Sequence, residues 1–232
     1  MTTLYIGNKN YSSWSMRPWV LMRQFGLPFT EVKLRFDSFS ADSQFKTRLA
    51  GVAKAGKVPV LVEDDGFVVW DTLAIAEYLA EQHPDLPLWP ADARQRARAR
   101  SCCAEMHAGF GALRNHCGMN IEAQLPEVGA RLLAEQPGVR ADLDRLVQMW
   151  SELLAEPGRA AKGPFLFGAF GIIDAYFAPV VTRLRTYGLP VPPAVQAWAD
   201  AVWAAPGVQA WVADALAEQD FIAFEEPYRS QR

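Results

Sequence analysis

The sequence has few cysteines and no long apolar run, and both absences narrow the kind of protein it encodes. It contains three cysteines, Cys102, Cys103 and Cys117, and two of them are adjacent, so a framework of structural disulfides is not expected. No stretch of about 18 uninterrupted apolar residues occurs, and the start "MTTLYIGNKN" lacks the basic and apolar parts of a signal peptide. We therefore expect a cytoplasmic protein with no membrane partner.

The sequence also lacks a large excess of charge of either sign. Its 23 basic and 26 acidic residues give a formal net charge of -3, which offers no general attraction to nucleic acid. The basic run "RQRARAR" at 94–100 spreads its arginines over two faces of a helix, so we interpret it as a solvated helix start. No nucleic-acid partner is predicted.

The apolar residues that are present suffice for a core, since they make up 50% of the 232 residues. Residues 3–7 predict a buried strand, and a helix is expected from about Ser15 to Phe25, where Gly26 ends it. From Phe29 apolar and polar residues alternate, which is the period of a half-buried strand. This β-α-β unit predicts two parallel strands with a right-handed crossover.

The segment "GKVPVLVEDDGFVVWDTLAIAEYLAEQ", residues 56–82, continues this first domain. It predicts two strands, "VPVLV" and "FVVW", joined by a tight turn and hence antiparallel. A helix follows and begins at Asp71 or Thr72, because either side chain can cap it. The order β-α-β followed by β-β-α is that of a thioredoxin-like domain, which we expect at residues 1–83.

A second, all-helical domain is expected after a proline-rich linker. "HPDLPLWP" carries prolines at 84, 87 and 90 and cannot continue a helix, so residues 84–90 are predicted to be the linker. Helical spacing then recurs over Gln95–Leu113, Leu143–Leu154 and Asp174–Leu184, and two short helices begin at Pro193 and Pro206. The predicted fold class is therefore an α/β domain followed by an all-α domain at residues 91–232.

Two features of the first domain predict binding. Ser12, Ser13 and Ser15 lie where the first strand turns into the first helix, although one serine would suffice as a cap. The unpaired N–H groups and the dipole of a helix N-terminus favour an anion there. Val58-Pro59 begins a strand where proline is normally disfavoured, and a cis bond would let the Val58 backbone pair with an extended peptide.

The motif "SSWSMR", followed by the segment 56–82, a proline-rich linker and a helical half, resembles the serine-type cytosolic glutathione transferase superfamily. The resemblance covers essentially the whole chain, and the serine turn is closest to zeta-like bacterial members. It is most specific at the "VP" strand start, at the acid-hydroxyl pair after the hairpin and at "FLFGAFGIIDAYFAPV", residues 165–180. Gly171 stands in the usual cap position before Asp174, a change that costs only a few tenths of a kcal/mol. No cysteine occurs at 12–15, which argues against the thiol-transferring members.

The resemblance implies roles for individual residues. Ser12 matches the residue that holds the glutathione sulfur, and Ser13 is the next candidate; Trp14 is expected beside them. Val58 matches the residue whose backbone pairs with the cysteinyl part of glutathione, and Pro59 matches the cis-proline that follows it. These expectations place the thiol at the first helix and the peptide at the third strand.

The same resemblance implies the remaining site residues. Asp71 and Thr72 match the pair that binds the γ-glutamyl end, with the Thr72 hydroxyl on its carboxylate, although Asp71 is one methylene shorter than the usual acid. Lys57 is a further expected glutathione contact. The pocket for the second substrate is expected to contain Tyr11, Met106, Phe110 and Arg114.

The implied activity is attack of a serine-held glutathione thiolate on a small hydrophobic electrophile, by a homodimer that uses glutathione as co-substrate. One alternative is glutathione-dependent cis-trans isomerisation of a maleylacetoacetate-like substrate, which needs cations such as Arg17 or Arg114. Another is a non-catalytic binding or scaffold protein. No metal is predicted, because Cys103 and His107 lack a second pair of ligands at zinc-site spacing.

Overall fold

The N-terminal half is a four-stranded sheet with three helices. A computed structural model describes Met1–Arg232 apart from position 160. The elements of this half are β1 (Thr3–Ile6), α1 (Ser13–Gln24), β2 (Thr30–Lys33), α2 (Gln44–Ala50), β3 (Val60–Val62), β4 (Val68–Trp70) and α3 (Thr72–Gln82).

The sheet has the strand order β2-β1-β3-β4. Strand β1 pairs with β2 in parallel, with Thr3 opposite Thr30, and the two other pairings are antiparallel, with Val60 opposite Trp70. The predicted parallel unit and the predicted hairpin are both confirmed. With α1 to α3 the sheet has the thioredoxin-like arrangement that the sequence predicts.

The C-terminal half is helical. Its elements are α4 (Ala93–Ala108), α5 (Gly111–His116), α6 (Pro126–Glu135), α7 (Pro137–Leu154), α8 (Ile172–Thr186), α9 (Pro193–Ala204) and α10 (Pro206–Glu218). Prolines stand at the first helical positions of α9 and α10, as predicted. No helix within the described residues is long and apolar enough to span a membrane.

The prediction of one continuous helix over Gln95–Leu113 is wrong. Helix α4 ends at Ala108, Gly109 has extended backbone, and Phe110 takes a left-handed conformation with φ 57° before α5 begins. Helical periodicity continues through the break, so the pattern of apolar residues does not reveal it. Met106 of α4 and Phe110 at the break both pack in the main core.

The main core extends through both halves of the chain. Helix α1 packs against α8 and α10, and its residues Met16, Trp19 and Val20 are fully buried. Nearly every residue of α8 is buried, which is expected of a central helix. Gly26 ends α1 with φ 67°, a conformation that glycine adopts without strain. The packing of α1 against these elements fixes its position between the sheet and the helical half.

Candidate functional site

A cleft of about 640 Å³ lies where the N-terminal turn of α1, the start of β3 and the start of α3 meet the α4–α5 region. The candidate site residues from the sequence line this cleft, apart from Ser15, Arg17 and two residues of the expected second-substrate pocket, Met106 and Phe110. Those two are 0% and 6% exposed and pack in the main core. Tyr11 and Arg114 remain as lining residues.

The three serines of the first turn have different surroundings. Ser15 is fully buried, and its Oγ accepts from the Gly7 backbone N–H at 3.1 Å and from the Ser12 hydroxyl at 2.7 Å. Ser15 therefore ties the end of β1 to α1. Ser12 is buried with its hydroxyl turned towards Ser15, whereas Ser13 is half-buried on the cleft wall.

The N-terminus of α1 has unpaired backbone donors. Ser12 is its N-cap residue, but no side chain caps this helix and its first turn contains no acidic residue. Within the described residues, neither the Trp14 nor the Ser15 backbone N–H has an acceptor. A helix N-terminus in this state attracts an anion through its free N–H groups and its dipole.

The start of β3 also has free backbone groups. The Val58-Pro59 peptide bond is cis, as predicted. In the part of the chain that the structure describes, neither the N–H nor the C=O of Val58 is paired. Both groups are available to pair with an extended ligand in the cleft.

Asp71 caps α3 and keeps one oxygen free of that task. Its Oδ1 accepts from the backbone N–H of Leu73 at 2.9 Å and of Ala74 at 3.4 Å. Its Oδ2 lies 3.4 Å from His107 Nε2. Asp71 has φ 76° and ψ 135°, a positive-φ conformation that residues other than glycine rarely adopt. One carboxylate thus serves both the helix and the cleft.

The Thr72 hydroxyl has a structural partner that the sequence expectation did not include. It donates to the Trp14 carbonyl at 3.1 Å. That carbonyl lacks its usual helical donor because residue 18, four positions later, is a proline without an N–H. The backbone N–H of Thr72 has no acceptor among the described residues. The donor that this turn offers to a ligand is therefore the Thr72 amide rather than its hydroxyl.

His107 is a cleft residue that sequence reasoning considered only as a metal ligand. Its Nδ1 lies 2.8 Å from the Tyr176 hydroxyl, and its ring lies 5.2 Å from the Trp14 ring. Cys103, four residues earlier, is fully buried in the core. Across the described residues, no group of three or more His, Cys, Asp or Glu side chains is arranged to hold a metal.

Three guanidinium groups lie in or behind the inner part of the cleft. Arg114 and Arg183 line it, while Arg17 lies behind Trp14, 4.3 Å from that ring. Among the described residues these arginines donate only to backbone carbonyl groups. Burial lowers the pKa of Arg17 to about 9 and that of Arg183 to about 10, so both stay protonated at neutral pH. This part of the cleft is cationic.

Sequence reasoning missed three of the charged lining residues. Arg183 lies in an apolar helix, and Lys46 and Glu225 belong to segments with no motif of their own. Lys46 Nζ donates to the Gly56 carbonyl at 2.6 Å, which places a cation near exposed Lys57. These residues reach the cleft through tertiary packing, so no local pattern could have found them.

Two family models match the chain. The N-terminal domain of glutathione S-transferases matches residues 11–82, and their C-terminal domain matches residues 91–214. Among solved structures, a glutathione transferase homologue from Burkholderia gl BGR1 with bound glutathione is 26% identical; the match covers 93% of this chain and 98% of that one, with a TM-score of 0.69. A bacterial zeta-class maleyl pyruvate isomerase shares the fold at 20% identity, 90% and 95% coverage and a TM-score of 0.66.

The curated relatives match over shorter stretches. A probable maleylacetoacetate isomerase of Caenorhabditis elegans is 34% identical over 112 residues, which is 48% of this chain and 49% of the relative. The maleylacetoacetate isomerase of Dictyostelium discoideum is 30% identical over 123 residues, 53% and 54% of the two chains. The chain thus spans about half the length of the curated relatives it matches.

Proposed function

Because the chain belongs to the glutathione S-transferase family, we propose that it binds glutathione and transfers its thiolate to a small hydrophobic electrophile. One observation supports this most directly. The uncapped N-terminus of α1, with Ser12 and Ser13, opens into the same cleft as the unpaired backbone of Val58. A tripeptide could pair with Val58 while its thiolate lies at the helix.

The available interactions are large enough to ionise the thiol. A free thiol with a pKa of about 8.5 must lose about 2 units to be mostly thiolate at neutral pH, which is roughly 2.7 kcal/mol. A hydroxyl that donates to a charged group contributes about 1.5 to 3 kcal/mol, and a helix N-terminus contributes about 0.3 to 2 kcal/mol. One serine and the α1 dipole together therefore suffice without a general base.

Ser12 and Ser13 would contribute in different ways. The Ser13 hydroxyl has no partner within the described residues and can donate to a thiolate directly. The Ser12 hydroxyl donates to Ser15 and must turn away from it before it can donate to sulfur. We keep both as catalytic candidates, with Trp14 beside them.

The rest of the tripeptide is assigned by charge. The Asp71 oxygen that does not cap α3, Oδ2, lies 3.4 Å from His107 Nε2 and would face the γ-glutamyl ammonium group. The Thr72 N–H would donate to the γ-glutamyl carboxylate. Lys57, together with Lys46, attracts the glycyl carboxylate at the mouth of the cleft.

In this proposal residues 1–83 form the glutathione-binding domain and 84–90 the linker. Residues 91–232 supply the second-substrate pocket, and the enzyme is a homodimer.

The cationic part of the cleft supports a second candidate function. Arg114 and Arg183 suit an anionic second substrate, such as the maleylacetoacetate-like dicarboxylate of a glutathione-dependent cis-trans isomerase. Arg114→Gln distinguishes the two activities, because it should lower turnover of maleylacetone about 10-fold and leave that of a neutral aryl halide nearly unchanged. Equal losses with both substrates would count against the isomerase.

The decisive test is an ultraviolet difference titration of bound glutathione against pH. In the wild type we expect the thiolate to persist about 2 pH units below the pKa of free glutathione. Ser13→Ala and Ser12→Ala should each raise the pKa of the bound thiol, whereas Ser101→Ala, on the exposed face of α4, should not. If glutathione does not bind, or binds as a neutral thiol in all four proteins, the scaffold alternative is favoured.

A further inference from the structure

The C-terminal tail, residues 219–232, returns from α10 to the cleft and lies beyond residue 214, where the family match ends. It contains a short 3-10 helix, Ala223–Glu225. The Tyr11 hydroxyl donates to Glu226 Oε1 at 2.7 Å, and Asn120 Nδ2 donates to the same oxygen at 2.8 Å. On the outer side, the Phe224 ring packs edge-on against Phe39 at 5.1 Å. Both halves of the molecule therefore hold the tail in place.

Two adjacent glutamates of this tail have opposite surroundings. Glu226 is buried and fully engaged, since Tyr11, Asn120 and Arg229 all donate to it. Glu225 lines the cleft that also contains Ser12 and Ser13. Its carboxyl group has neither a hydrogen bond nor an ion pair within the described residues. With Glu226 anchored, Glu225 presents to the cleft a carboxyl group that has no partner within the described residues.

We infer that Glu225 is a catalytic residue for conjugated carbonyl substrates, donating the proton that completes thiolate addition; this rests on the proposed transferase function. When the thiolate adds to the β-carbon, a C–S bond forms and the alkene π electrons move towards the carbonyl, giving an enolate. Glu225 donates its proton to the α-carbon, where a C–H bond forms, and becomes a carboxylate. Glu225 then regains a proton from water, and the thiol of the next glutathione releases one to water as it ionises, so atoms and charge balance.

The surroundings of Glu225 suit this proton transfer. Burial and the adjacent Glu226 carboxylate raise its pKa to about 7, while Arg183 of α8 acts in the opposite direction. A general acid is most effective when its pKa lies near the working pH. The other titratable side chains that line the cleft are Tyr11, Lys46, Lys57, Asp71, His107 and Arg114. The cationic Arg183 would also stabilise the enolate before it is protonated.

The test compares two electrophiles with the full-length protein. Benzalacetone, a conjugated enone, needs a proton after thiolate addition, whereas chlorodinitrobenzene loses chloride and needs none. We expect Glu225→Gln to lower kcat for benzalacetone about 100-fold and to change turnover of chlorodinitrobenzene less than about 2-fold. The wild-type enone rate should fall as pH rises through about 7, since the acid form is lost there. Glu225→Gln should lack this fall.

Further variants separate proton transfer from displacement of the tail. Phe224→Ala removes the contact with Phe39 and should lower both activities by the same factor. Glu225→Asp keeps the acid and should recover part of the enone rate. Equal enone rates in the wild type and Glu225→Gln, or no enone turnover while chlorodinitrobenzene reacts, would overturn the role of Glu225 alone. Absence of turnover of both electrophiles by the wild type would instead overturn the transferase function and this assignment with it.

Discussion

The N-terminus of α1 and the N-terminus of α8 face the same requirement, because each leaves backbone N–H groups without helical acceptors. At α8 the chain supplies its own anion. Asp174 is fully buried and accepts from the Gly171 N–H at 3.1 Å, the Leu166 N–H at 3.2 Å and the Trp198 Nε1–H at 2.9 Å. At α1 the described residues supply no capping side chain, and the turn opens into the cleft.

This difference distinguishes a structural helix end from one that can receive a ligand. At the α8 end, burial raises the pKa of the Asp174 carboxyl group to about 6. The Gly171 N–H at this helix end donates to that carboxyl group within the core. The α1 end retains free backbone N–H donors at a cleft wall, so an external anion can accept hydrogen bonds there, as Asp174 accepts one from Gly171 inside the core. Helix α3 is intermediate, since one oxygen of Asp71 caps the helix and the other faces the cleft.

The largest effect on stability should come from replacing Asp174, the buried anion at the N-terminus of α8. Asp174→Ala leaves three buried donors unpaired, so we expect it to lower the free energy of unfolding by about 3 kcal/mol or more. Urea unfolding measures this loss. Asp200→Ala, on the exposed face of α9, is the matched control and should change stability by less than about 0.5 kcal/mol. A loss below about 1 kcal/mol in Asp174→Ala would remove the contrast between the two helix ends.

Replacing the serines at the open N-terminus of α1 should lower turnover while leaving stability nearly unchanged. The double replacement Ser12→Ala/Ser13→Ala should lower turnover of glutathione about 10- to 150-fold, because a charge-assisted hydrogen bond is lost. Its free energy of unfolding should change by no more than about 1 kcal/mol, since neither side chain caps α1. Steady-state kinetics and urea unfolding on the same preparations give both values. A stability loss like that of Asp174→Ala, with turnover intact, would mean that both helix ends are structural.

Much of the fold follows from local patterns in the sequence. The alternation after Phe29, the tight turn before β4 and the prolines at 193 and 206 each determine an element within a few residues, so these predictions are confirmed. The site residues of α1, β3 and α3 follow for the same reason, since each lies at the start of a predictable element. Their functions stay predictions.

Other features depend on packing between distant segments and were not predictable. Arg183 and Glu225 reach the cleft from positions far along the chain from the serines, and no motif marks them. The break at Gly109 interrupts a helical pattern that continues on both sides, and Met106 and Phe110 pack in the main core rather than at the cleft. Sequence patterns predict which helices and strands form, whereas the contacts of each side chain depend on tertiary packing.

A smaller effect, on glutathione affinity, is expected at the N-terminus of α3. Asp71→Asn keeps an oxygen that caps α3 but removes the charge that faces the cleft, so stability should change by less than about 0.5 kcal/mol. Glutathione affinity should fall about 10-fold, because the γ-glutamyl ammonium loses a charged partner. Isothermal titration calorimetry measures the affinity. Unchanged binding would show that both oxygens of Asp71 serve the fold alone, as those of Asp174 do.

The smallest effect concerns the Thr72 hydroxyl, which donates to the Trp14 carbonyl that Pro18 leaves unpaired. Thr72→Val should lower the free energy of unfolding by about 1 to 2 kcal/mol through loss of this hydrogen bond. In a Pro18→Ala background the same change should cost less, because residue 18 then has an N–H for the Trp14 carbonyl. Urea unfolding of the four proteins gives this coupling as a double-mutant cycle.

Glutathione affinity of the same variants then decides which donor of Thr72 serves the ligand. Thr72→Val retains the backbone N–H, so affinity should stay within about 2-fold of the wild type if the amide binds the γ-glutamyl carboxylate. Thr72→Ser keeps the hydroxyl and is the matched control. A 10-fold loss in Thr72→Val alone, with no coupling to Pro18→Ala, would assign the hydroxyl to the ligand. The start of α3 would then resemble the open end of α1 more than the closed end of α8, because its side-chain donor would be reserved for an external anion.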